Sequence, residues 1–391
     1  MRKLAVFTAT RAEYGLLRPI LRTIEESDRV ALQLIVSGTH LSALHGNTVD
    51  QIKQDGYSID AYVDSLEAED SIQAINSTMA KTQVGVAGAL QQLQPDLLIV
   101  LGDRYELLSC VTAAMIVGIP VVHLHGGELT TGAIDDAIRH AITKLSHIHM
   151  TGTQEYRNRV IQLGEQPELV FNVGATAVDN AAAIKPISKK DLEAALGFKL
   201  REQNVLITFH PETLSPISVQ QQLKELFAAL DSQPDLGMIF TMPNADKDFE
   251  IIDSAIKNYV AASPHTRMYR KSLGNVLYMN TLRHMDAMVG NSSSGITEGP
   301  ILNVPTVNIG NRQDGRVRAS SILDVPCRSE LIVEAISNAL NMSALTADRE
   351  AASIYGSPGV SHRIIKILEE IDLTGLRQKK FYDLPIRSHT V

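Results

Sequence analysis

Residues 121–150 have the sequence VVHLHGGELTTGAIDDAIRHAITKLSHIHM. Two short apolar runs, at 121–125 and 147–150, flank a segment with helical periodicity. The apolar residues of that segment lie on one helical stripe, namely Ile134, Ala137, Ile138, Ala141, Ile142 and Leu145. Because near-continuous apolar runs are typical of parallel strands buried on both faces, the stretch predicts a strand–helix–strand unit of a parallel sheet.

Similar apolar runs recur along the whole chain, and each is followed by enough residues for a helix. We predict six strands in the first half, at residues 4–7, 32–36, 97–100, 121–125, 147–150 and 170–173. Six more are predicted in the second half, at residues 205–209, 238–241, 276–279, 287–289, 306–309 and 322–325. The pattern predicts an α/β fold of two Rossmann-like, doubly wound parallel-sheet domains. We place them at residues 1–175 and 176–359, with a C-terminal helix and tail at 360–391 packing back on the first domain.

The composition excludes several classes of protein. Lysine and arginine number 36 against 44 acidic residues, and the resulting net charge of −8 argues against a nucleic-acid or anionic-membrane partner. Cys110 and Cys327 are the two cysteines and form no CxxC motif, which excludes a disulfide scaffold and a structural zinc site. The longest nearly apolar run, 111–122, is too short to span a membrane, and no export signal follows Met1. We therefore expect a cytoplasmic protein.

Ligands of open α/β sheets bind beyond the carboxyl ends of the strands, so polar residues directly after strands are candidate site residues. Arg11 follows the first strand and can hold a phosphate or carboxylate bidentately, or form a solvated pair with Glu13. Asp103 follows the third predicted strand and is either an acid–base group or the N-cap of the next helix. Neither GxGxxG nor GxxxxGK[ST] is present, which disfavours dinucleotide and P-loop sites.

The motif HLHGGE at 123–128 places His125 and Glu128 after the fourth predicted strand. Two histidines and a glutamate could bind zinc, but such pairs are more typical of antiparallel barrels. Ligand binding or acid–base catalysis by His125 or Glu128 is the favoured interpretation, and no metal is predicted. In the following helix, Asp135 and Arg139 are spaced i, i+4. They form either a solvated ion pair or a helix start that faces the ligand.

Two segments of the second half complete the set of candidates. His210 ends a strand before a proline, and histidine readily exchanges protons near neutral pH. The segment GNSSSGITE at 290–298 opens a helix with small and hydroxyl residues, so N–H groups and hydroxyls can face a diphosphate. Glu298 could accept hydrogen bonds from two ribose hydroxyls, and Arg312 could neutralise phosphate charge. The alternative is an N-cap cluster. Together these residues predict a nucleotide-sugar enzyme with a cleft between its domains.

Seven motifs in order carry a family resemblance: TATRAEYG (8–15), LGDRYE (101–106), HLHGGE (123–128), DDAIRHAITKLSH (135–147), FHPETL (209–214), GNSSSGITE (290–298) and NIGNRQDGR (308–316). The chain resembles the hydrolysing UDP-N-acetylglucosamine 2-epimerases of bacterial sialic-acid synthesis. The resemblance implies a glycosyltransferase-B-type fold, no metal or other cofactor, and a homodimer or homotetramer. It also implies the reaction UDP-GlcNAc + water → N-acetylmannosamine + UDP.

The resemblance also implies roles for individual residues. The catalytic candidates are Asp103, His125, Glu128, Asp135 and His210. The substrate-binding candidates are Arg11, Arg104, Arg139, Asn244, Asn291, Ser292, Ser293, Ser294, Gly295, Glu298 and Arg312. Many members of the family have glutamate at the position of His125. Either His125 or Glu128 takes the acid–base role of that glutamate, or the chain belongs to a branch of the family with histidine there.

Other functions fit the same motifs. The same reaction class could act on a UDP-2,4-diacetamido-2,4,6-trideoxy sugar, as in legionaminic-acid synthesis. A non-hydrolysing epimerase would retain UDP on the product, whereas a non-catalytic sensor would bind the nucleotide sugar without turnover. A glycosyltransferase would need an acceptor, and a metal-dependent hydrolase would lose activity in chelator. Each epimerase hypothesis predicts a UDP-sugar and UDP as partners, and neither nucleic acid nor a membrane.

Overall fold

The computed structural model describes residues 1–69, 71–130, 134–211, 216–242, 249–343 and 354–385. The chain divides into two compact units. Unit 1 comprises Met1–Glu128, Asp135–Thr176 and Gly359–Val391, and unit 2 comprises Leu129–Ile134 and Ala177–Pro358. Leu129 thus belongs with unit 2 rather than with the first domain, where the sequence division put it. The reason is local packing. Leu129 lies so close to Gly315 that a side chain at position 315 would place its Cβ 2.5 Å from the Leu129 Cβ.

Unit 1 is built on seven strands: β1 (Arg2–Thr8), β2 (Val30–Ser37), β3 (Ala61–Val63), β4 (Leu97–Leu101), β5 (Val121–Leu124), β6 (Ile148–Thr151) and β7 (Val170–Asn172). They pair in parallel in the order β3-β2-β1-β4-β5-β6-β7. Its helices in the first part of the chain are α1 (Arg11–Glu25), α2 (Val49–Gln54), α3 (Ile72–Leu93), α4 (Tyr105–Val117), α5 (Asp135–Leu145) and α6 (Gln154–Gln162). Three short 3₁₀ helices lie at Gly38–Leu41, Ala43–His45 and Pro167–Leu169.

Unit 2 is built on six strands: β8 (Asn204–Thr208), β9 (Gly237–Thr241), β10 (Arg267–Arg270), β11 (Ala287–Gly290), β12 (Thr306–Ile309) and β13 (Ile322–Val325). They pair in parallel in the order β10-β9-β8-β11-β12-β13. The helices are α7 (Thr176–Ala183), α8 (Lys189–Leu196), α9 (Val219–Asp231), α10 (Phe249–Ala261), α11 (Gly274–Arg283), α12 (Ser293–Ile296), α13 (Glu298–Ile301) and α14 (Ser329–Ser343). A last helix, α15 (Val360–Glu370), returns to unit 1, where Arg2 Nη2 donates to the Ile371 carbonyl at 3.0 Å.

Both sheets are covered by helices on both faces, so the predicted doubly wound fold is confirmed. In β8, Val205 and Ile207 pack in one apolar core, whereas Leu206, between them, packs in a second core. Because alternate side chains of a strand point to opposite faces, a strand buried on both faces needs an unbroken apolar run. Within the described residues, no helix has the length and apolar composition needed to cross a bilayer.

One predicted strand is wrong and two strands were missed. Residues 276–279 lie in the helix α11, because a short apolar run at this spacing fits a buried helix as well as a strand. The third strand of that half is instead β10, where Met268 alone is buried. β10 has four residues and β3 has three, and each lies at the edge of its sheet. Short edge strands carry exposed polar residues, so they lack the apolar run that the other strands show.

The strand order places the candidate site residues. In unit 1 the order changes direction between β1 and β4, and in unit 2 between β8 and β11. The loops that follow such neighbouring strands diverge to opposite faces of the sheet and leave a crevice in which ligands bind. Arg11 and Asp103 follow β1 and β4, and His210 and Asn291 follow β8 and β11. Each unit therefore presents candidate residues at its own switch point.

Candidate active site

Asp103 forms an ion pair with Arg139, which joins the loop after β4 to the helix α5. The Arg139 side chain is 2% exposed and that of Asp103 is 22% exposed, so the pair is anchored in the interior and reaches solvent through the carboxylate. The N-cap of α4 is Arg104 and not Asp103, so the capping interpretation of Asp103 is wrong. The solvated interpretation of Arg139 is wrong as well, because α5 turns this residue toward the sheet.

His123 fixes the backbone beside Asp103. Its Nε2 lies 2.8 Å from the Gly102 carbonyl oxygen, and its Nδ1 lies 3.2 Å from the Thr143 hydroxyl on α5. Burial lowers the pKa of His123 to about 3, so the imidazole is neutral at physiological pH. A neutral ring donates from Nε2 to the carbonyl and accepts at Nδ1 from the hydroxyl. His123 thus links the loop that contains Asp103 to α5.

His125 contacts Glu128 and Thr176. Its Nδ1 lies 2.8 Å from Glu128 Oε1, and its Nε2 lies 2.9 Å from the Thr176 hydroxyl. The Thr176 N–H also approaches Nε2, at 3.4 Å, so a ring with its proton on Nδ1 satisfies both sides. This tautomer leaves the basic lone pair on Nε2. The backbone of His125 is left-handed, with φ of +66°, which is uncommon for a bulky residue and is typical of functional sites.

The H-x-H motif does not form a paired set of metal ligands. His123 contacts α5 and the β4 loop, whereas His125 lies beyond the end of β5 and contacts the segment after β7. Within the described parts of the chain, no three His, Cys, Asp or Glu side chains lie together in a group that could hold a metal ion.

Arg11 and Arg104 begin the two helices at the switch point of unit 1. Arg11 is the exposed first residue of α1, but Glu13 is buried and its Oε2 accepts from the Ala9 N–H at 2.9 Å. The solvated Arg11–Glu13 pair is therefore wrong, because Glu13 is a capping residue. Burial raises the pKa of Glu13 to about 7.

Arg104 donates from Nε to Glu106 Oε2 at 3.3 Å. Asp135 is the first residue of α5 and lies one turn before Arg139.

In unit 2, Asn291 joins the two loops of the switch point. The His210 N–H donates to Asn291 Oδ1 at 2.7 Å, and Asn291 Nδ2 donates to the His210 carbonyl at 2.9 Å. The preceding Gly290 has φ of +137°, and a Cβ there would lie 2.1 Å from the Thr208 carbonyl oxygen. Only glycine allows this close approach of β11 to the end of β8. Asn291 thus has a structural partner rather than an open amide.

The serine segment is a compact loop held from two sides. Ser292 is the N-cap of α12 and accepts from the Ser294 N–H at 3.3 Å, so the N-cap interpretation holds for this residue. The Tyr278 hydroxyl donates to the Ser294 hydroxyl at 2.8 Å. Gly295 packs closely on β12, where a Cβ would meet Thr306 Cγ2 at 2.6 Å. Ser293, at the first position of α12, is exposed.

Glu298 is the first residue of a separate short helix, α13, and does not lie in α12. Pro300 has no N–H to donate to the Ile296 carbonyl, so the helix breaks at that point. The Tyr355 hydroxyl donates to this carbonyl instead, at 2.7 Å. Because α12 and α13 have four residues each, this loop does not stand at the start of a long helix.

Arg312 lies beside this loop, with Nη1 3.2 Å from the Asn291 carbonyl oxygen. Gln313 donates to the same oxygen at 2.8 Å and supports the loop from within. Burial, and then the Arg312 charge, hold the pKa of His210 well below its usual range, so His210 is neutral at physiological pH. Asn244 lies outside the described residues, as do residues 212–214 of the FHPETL motif.

Two residues of the site were missed from sequence. Thr176 follows β7 and holds His125, and the rule that polar residues after strands are candidates could have found it. Tyr278 holds Ser294 but lies in the segment that was assigned to a strand, so no signal pointed to it.

Solved structures define the class of this fold. The UDP-GlcNAc 2-epimerase of Neisseria meningitidis bound to UDP-GlcNAc superimposes with a TM-score of 0.79 at 17% identity, covering 95% of this chain and 100% of that chain. The Methanocaldococcus jannaschii UDP-GlcNAc 2-epimerase in complex with UDP-GlcNAc and UDP gives 0.75 at 17% identity, covering 94% and 99%. The fold is that of the two-domain nucleotide-sugar epimerases.

Sequence comparison gives the family. A profile described as UDP-N-acetylglucosamine 2-epimerase matches residues 22–369, and the chain belongs to this family. It is 40% identical over 323 residues to the GDP/UDP-N,N'-diacetylbacillosamine 2-epimerase (hydrolyzing) of Campylobacter jejuni, covering 83% of this chain and 84% of the relative. It is 36% identical to the polysialic acid biosynthesis protein P7 of Escherichia coli, covering 98% of each. It is 34% identical to the UDP-N,N'-diacetylbacillosamine 2-epimerase (hydrolyzing) of Legionella pneumophila, covering 95% and 97%.

Proposed function

We propose that this chain is a hydrolysing UDP-GlcNAc 2-epimerase, which converts UDP-GlcNAc and water to N-acetylmannosamine and UDP. The observation that carries the hydrolytic assignment is the 34–40% identity to two relatives that are named hydrolysing 2-epimerases. The same assignment accounts for acid–base groups in unit 1 and for the serine loop and the neighbouring Arg312 in unit 2.

The proposed reaction has two steps that balance in atoms and electrons. A base removes the proton at carbon 2, the carbon–hydrogen pair forms the carbon 1–carbon 2 double bond, and the carbon 1–oxygen bond breaks with its electrons leaving on UDP. The intermediate is 2-acetamidoglucal. Water then adds its oxygen at carbon 1, and a proton returns to carbon 2 on the opposite face. The sum is hydrolysis with inversion at carbon 2.

We assign the proton transfers to unit 1. His125 is held by Glu128 through Nδ1, an arrangement suited to stabilising an imidazolium, and proton uptake at Nε2 takes the place of the hydrogen bond from Thr176. Asp103, paired with Arg139, supplies a second carboxylate, and Asp135 a third at the start of α5. Arg11 and Arg104 are the proposed substrate contacts beside them. Within unit 2, the neutral His210 is the proposed hydrogen-bonding group.

We assign the UDP contacts to unit 2. Leaving UDP gains negative charge as the carbon 1–oxygen bond breaks, and fixed donors lower the barrier when they are already oriented toward that charge. Ser292 and Ser293 at the start of α12, together with Arg312, supply such donors. Glu298, the first residue of α13, is the proposed acceptor of the ribose hydroxyls.

A second candidate substrate is a UDP-2,4-diacetamido-2,4,6-trideoxy sugar. The observation that favours it is the pair of relatives named for N,N'-diacetylbacillosamine. Both candidates share the acetamido group at carbon 2 and the UDP leaving group, so the same residues serve either sugar. They differ only in the groups at carbons 4 and 6.

The test is incubation of purified protein with each UDP-sugar in the presence of EDTA, followed by chromatography of nucleotide and sugar. We expect free UDP and free 2-epimerised sugar in equal amounts, with no loss of rate in EDTA. UDP-N-acetylmannosamine without free UDP would instead indicate the non-hydrolysing reaction. Binding of UDP-sugar without any turnover would indicate the sensor.

Glu298→Ala is expected to raise the Kd for UDP about 10- to 100-fold, because two hydrogen bonds from ribose hydroxyls to a carboxylate are lost, each contributing about 1.5–3 kcal/mol before partial compensation by water. Isothermal titration calorimetry with UDP measures it. Glu330→Ala, which removes an exposed glutamate from the first turn of α14 in the same unit, is the matched control and should leave the Kd unchanged. An unaltered Kd in the Glu298 variant refutes the ribose assignment.

A further inference from the structure

A lysine of the C-terminal tail binds the end of α5. Lys379 Nζ donates to the carbonyls of Thr143, Lys144 and Ser146, at 3.3, 2.6 and 2.5 Å, and lies 2.7 Å from Glu165 Oε2. The last carbonyls of a helix have no partner within the helix and carry the negative end of its dipole. An ammonium group at this place therefore caps α5 by charge and by hydrogen bonds together.

The residues around Lys379 fasten the tail to the same region. The Tyr382 N–H donates to the Gly164 carbonyl at 2.9 Å, and the Phe381 ring covers Gly164 so closely that a Cβ there would lie 2.3 Å from the ring. The Lys144 ammonium lies 4.9 Å from the centre of the Phe381 ring. Residues 379–382, which we call the C-terminal strap, thus tie α5 to the turn that follows α6.

A short series of contacts joins the strap to Asp103. Thr143, whose carbonyl Lys379 binds, also contacts His123 through its hydroxyl, and His123 bonds the carbonyl of Gly102. The residue after Gly102 is Asp103, which pairs with Arg139 of α5, and α4 begins two residues further on. The same helix therefore contacts the Asp103 loop at two points and the strap at its end.

We propose that Lys379 is a positioning residue, whose ammonium fixes the end of α5 and thereby the placement of Arg139, His123 and the Asp103 carboxylate. The part of the proposal that is measured as turnover rests on the function proposed above for this site. It also makes a claim about α5 itself, which is tested without any substrate.

The charge of Lys379 is sensitive to alkaline pH. Burial lowers the pKa of Lys379 to about 8, although Glu165 opposes this shift. Three groups that face it, Glu165, His147 and His149, keep the same charge near pH 8. Glu165, whose pKa is held at about 2 by His149 and the two lysines against the effect of burial, stays ionised. Burial lowers the pKa of His147 to about 4 and also lowers that of His149, so both rings are neutral. Lys144 bonds Glu165 Oε1 at 2.5 Å.

The direction in which pH changes the free energy of unfolding distinguishes a lost positioning contact from unfolding of the protein. The pKa of Lys379 is about 8 in the folded chain, whereas the ordinary pKa of lysine, 10.5, applies in the unfolded chain. Between these two pH values the folded chain therefore binds fewer protons at Lys379 than the unfolded chain does. The free energy of unfolding therefore rises with pH through this group. A fall in kcat above pH 8 without a fall in Tm is thus the signature of a lost positioning contact.

The experiment compares Lys379→Met, Lys379→Arg and Lys380→Met in the full-length protein. Lys380 is the exposed neighbour and the matched control. Hydrogen exchange by mass spectrometry measures the protection of α5, and steady-state kinetics with UDP-sugar measures kcat and KM at pH 7.5 and 9. We expect Lys379→Met to speed exchange along α5 at residues 139–145, whose N–H groups are bonded within the helix, and to lower kcat about 10- to 100-fold with KM nearly constant.

Lys379→Arg keeps the charge at both pH values and should retain the exchange and kcat that the wild type has at pH 7.5, without the decline at pH 9 that we expect of the wild type. Unchanged exchange in Lys379→Met overturns the proposal, and so does faster exchange with unchanged kcat, which leaves only a structural cap. Loss of function in Lys379→Arg equal to that in Lys379→Met overturns the role of charge. If the wild type releases no UDP from either sugar, the proposed function fails, and exchange at residues 139–145 alone tests whether Lys379 fixes α5.

Discussion

Asp103→Asn is expected to lower kcat about 10³-fold while leaving the Kd for UDP unchanged. Asparagine has nearly the same shape as aspartate but cannot accept a proton or carry the charge that pairs with Arg139. Because Asp103 lies in unit 1 and the proposed UDP contacts lie in unit 2, nucleotide binding is spared. Steady-state kinetics with the UDP-sugar and calorimetry with UDP measure the two effects separately.

The matched control for this variant is Asp50→Asn, which changes an exposed aspartate at the start of α2 in the same unit. The Tm of Asp103→Asn should fall by a few degrees, because a mostly buried ion pair is broken. Kinetics are therefore measured well below that Tm. A variant with wild-type kcat removes Asp103 from the mechanism, and one that loses UDP affinity to the same extent as kcat contradicts the separation of roles between the units.

His125→Gln is expected to lower kcat about 10²- to 10³-fold, since a glutamine can hydrogen-bond to Thr176 and Glu128 but cannot take up a proton. The KM should change little, because the proposed substrate contacts are made by other residues. Rates of UDP release at saturating substrate measure the loss.

Glu128→Gln provides the second arm of this test. The glutamine keeps a hydrogen bond to Nδ1 but loses the negative charge that stabilises an imidazolium, so its kcat should fall less than that of His125→Gln. His362→Gln, an exposed histidine of α15 in unit 1, is the matched control. If Glu128→Gln is the more damaging change, Glu128 itself is the acid–base group, and the histidine serves to orient it.

Much of the fold could be predicted because its central strands are buried on both faces. Runs such as residues 97–100 and 205–207 consist entirely of apolar residues, and the strands β4 and β8 lie there. The predictions that were wrong concern residues for which the local pattern carries little information. β3 and β10 are short edge strands, and residues 276–279 pack one side of a helix against the sheet.

The positions of the candidate site residues could be predicted, but their partners could not. The rule that ligands bind beyond strand ends selects Asp103, His125, His210 and the serine loop without any structure. The ion pair of Asp103 with Arg139, and the double hydrogen bond between His210 and Asn291, join residues that are far apart in sequence. Such pairs depend on which strands are neighbours, and local sequence does not encode that order.

The central claim, hydrolytic 2-epimerisation through removal of the carbon 2 proton, is tested most directly by proton NMR of the purified protein with UDP-GlcNAc in deuterated water. The 2,4-diacetamido analogue is run in parallel. The account predicts free UDP together with free 2-epimerised sugar that carries deuterium at carbon 2. Release of sugar with its original proton at carbon 2, or no UDP release from either substrate, contradicts it.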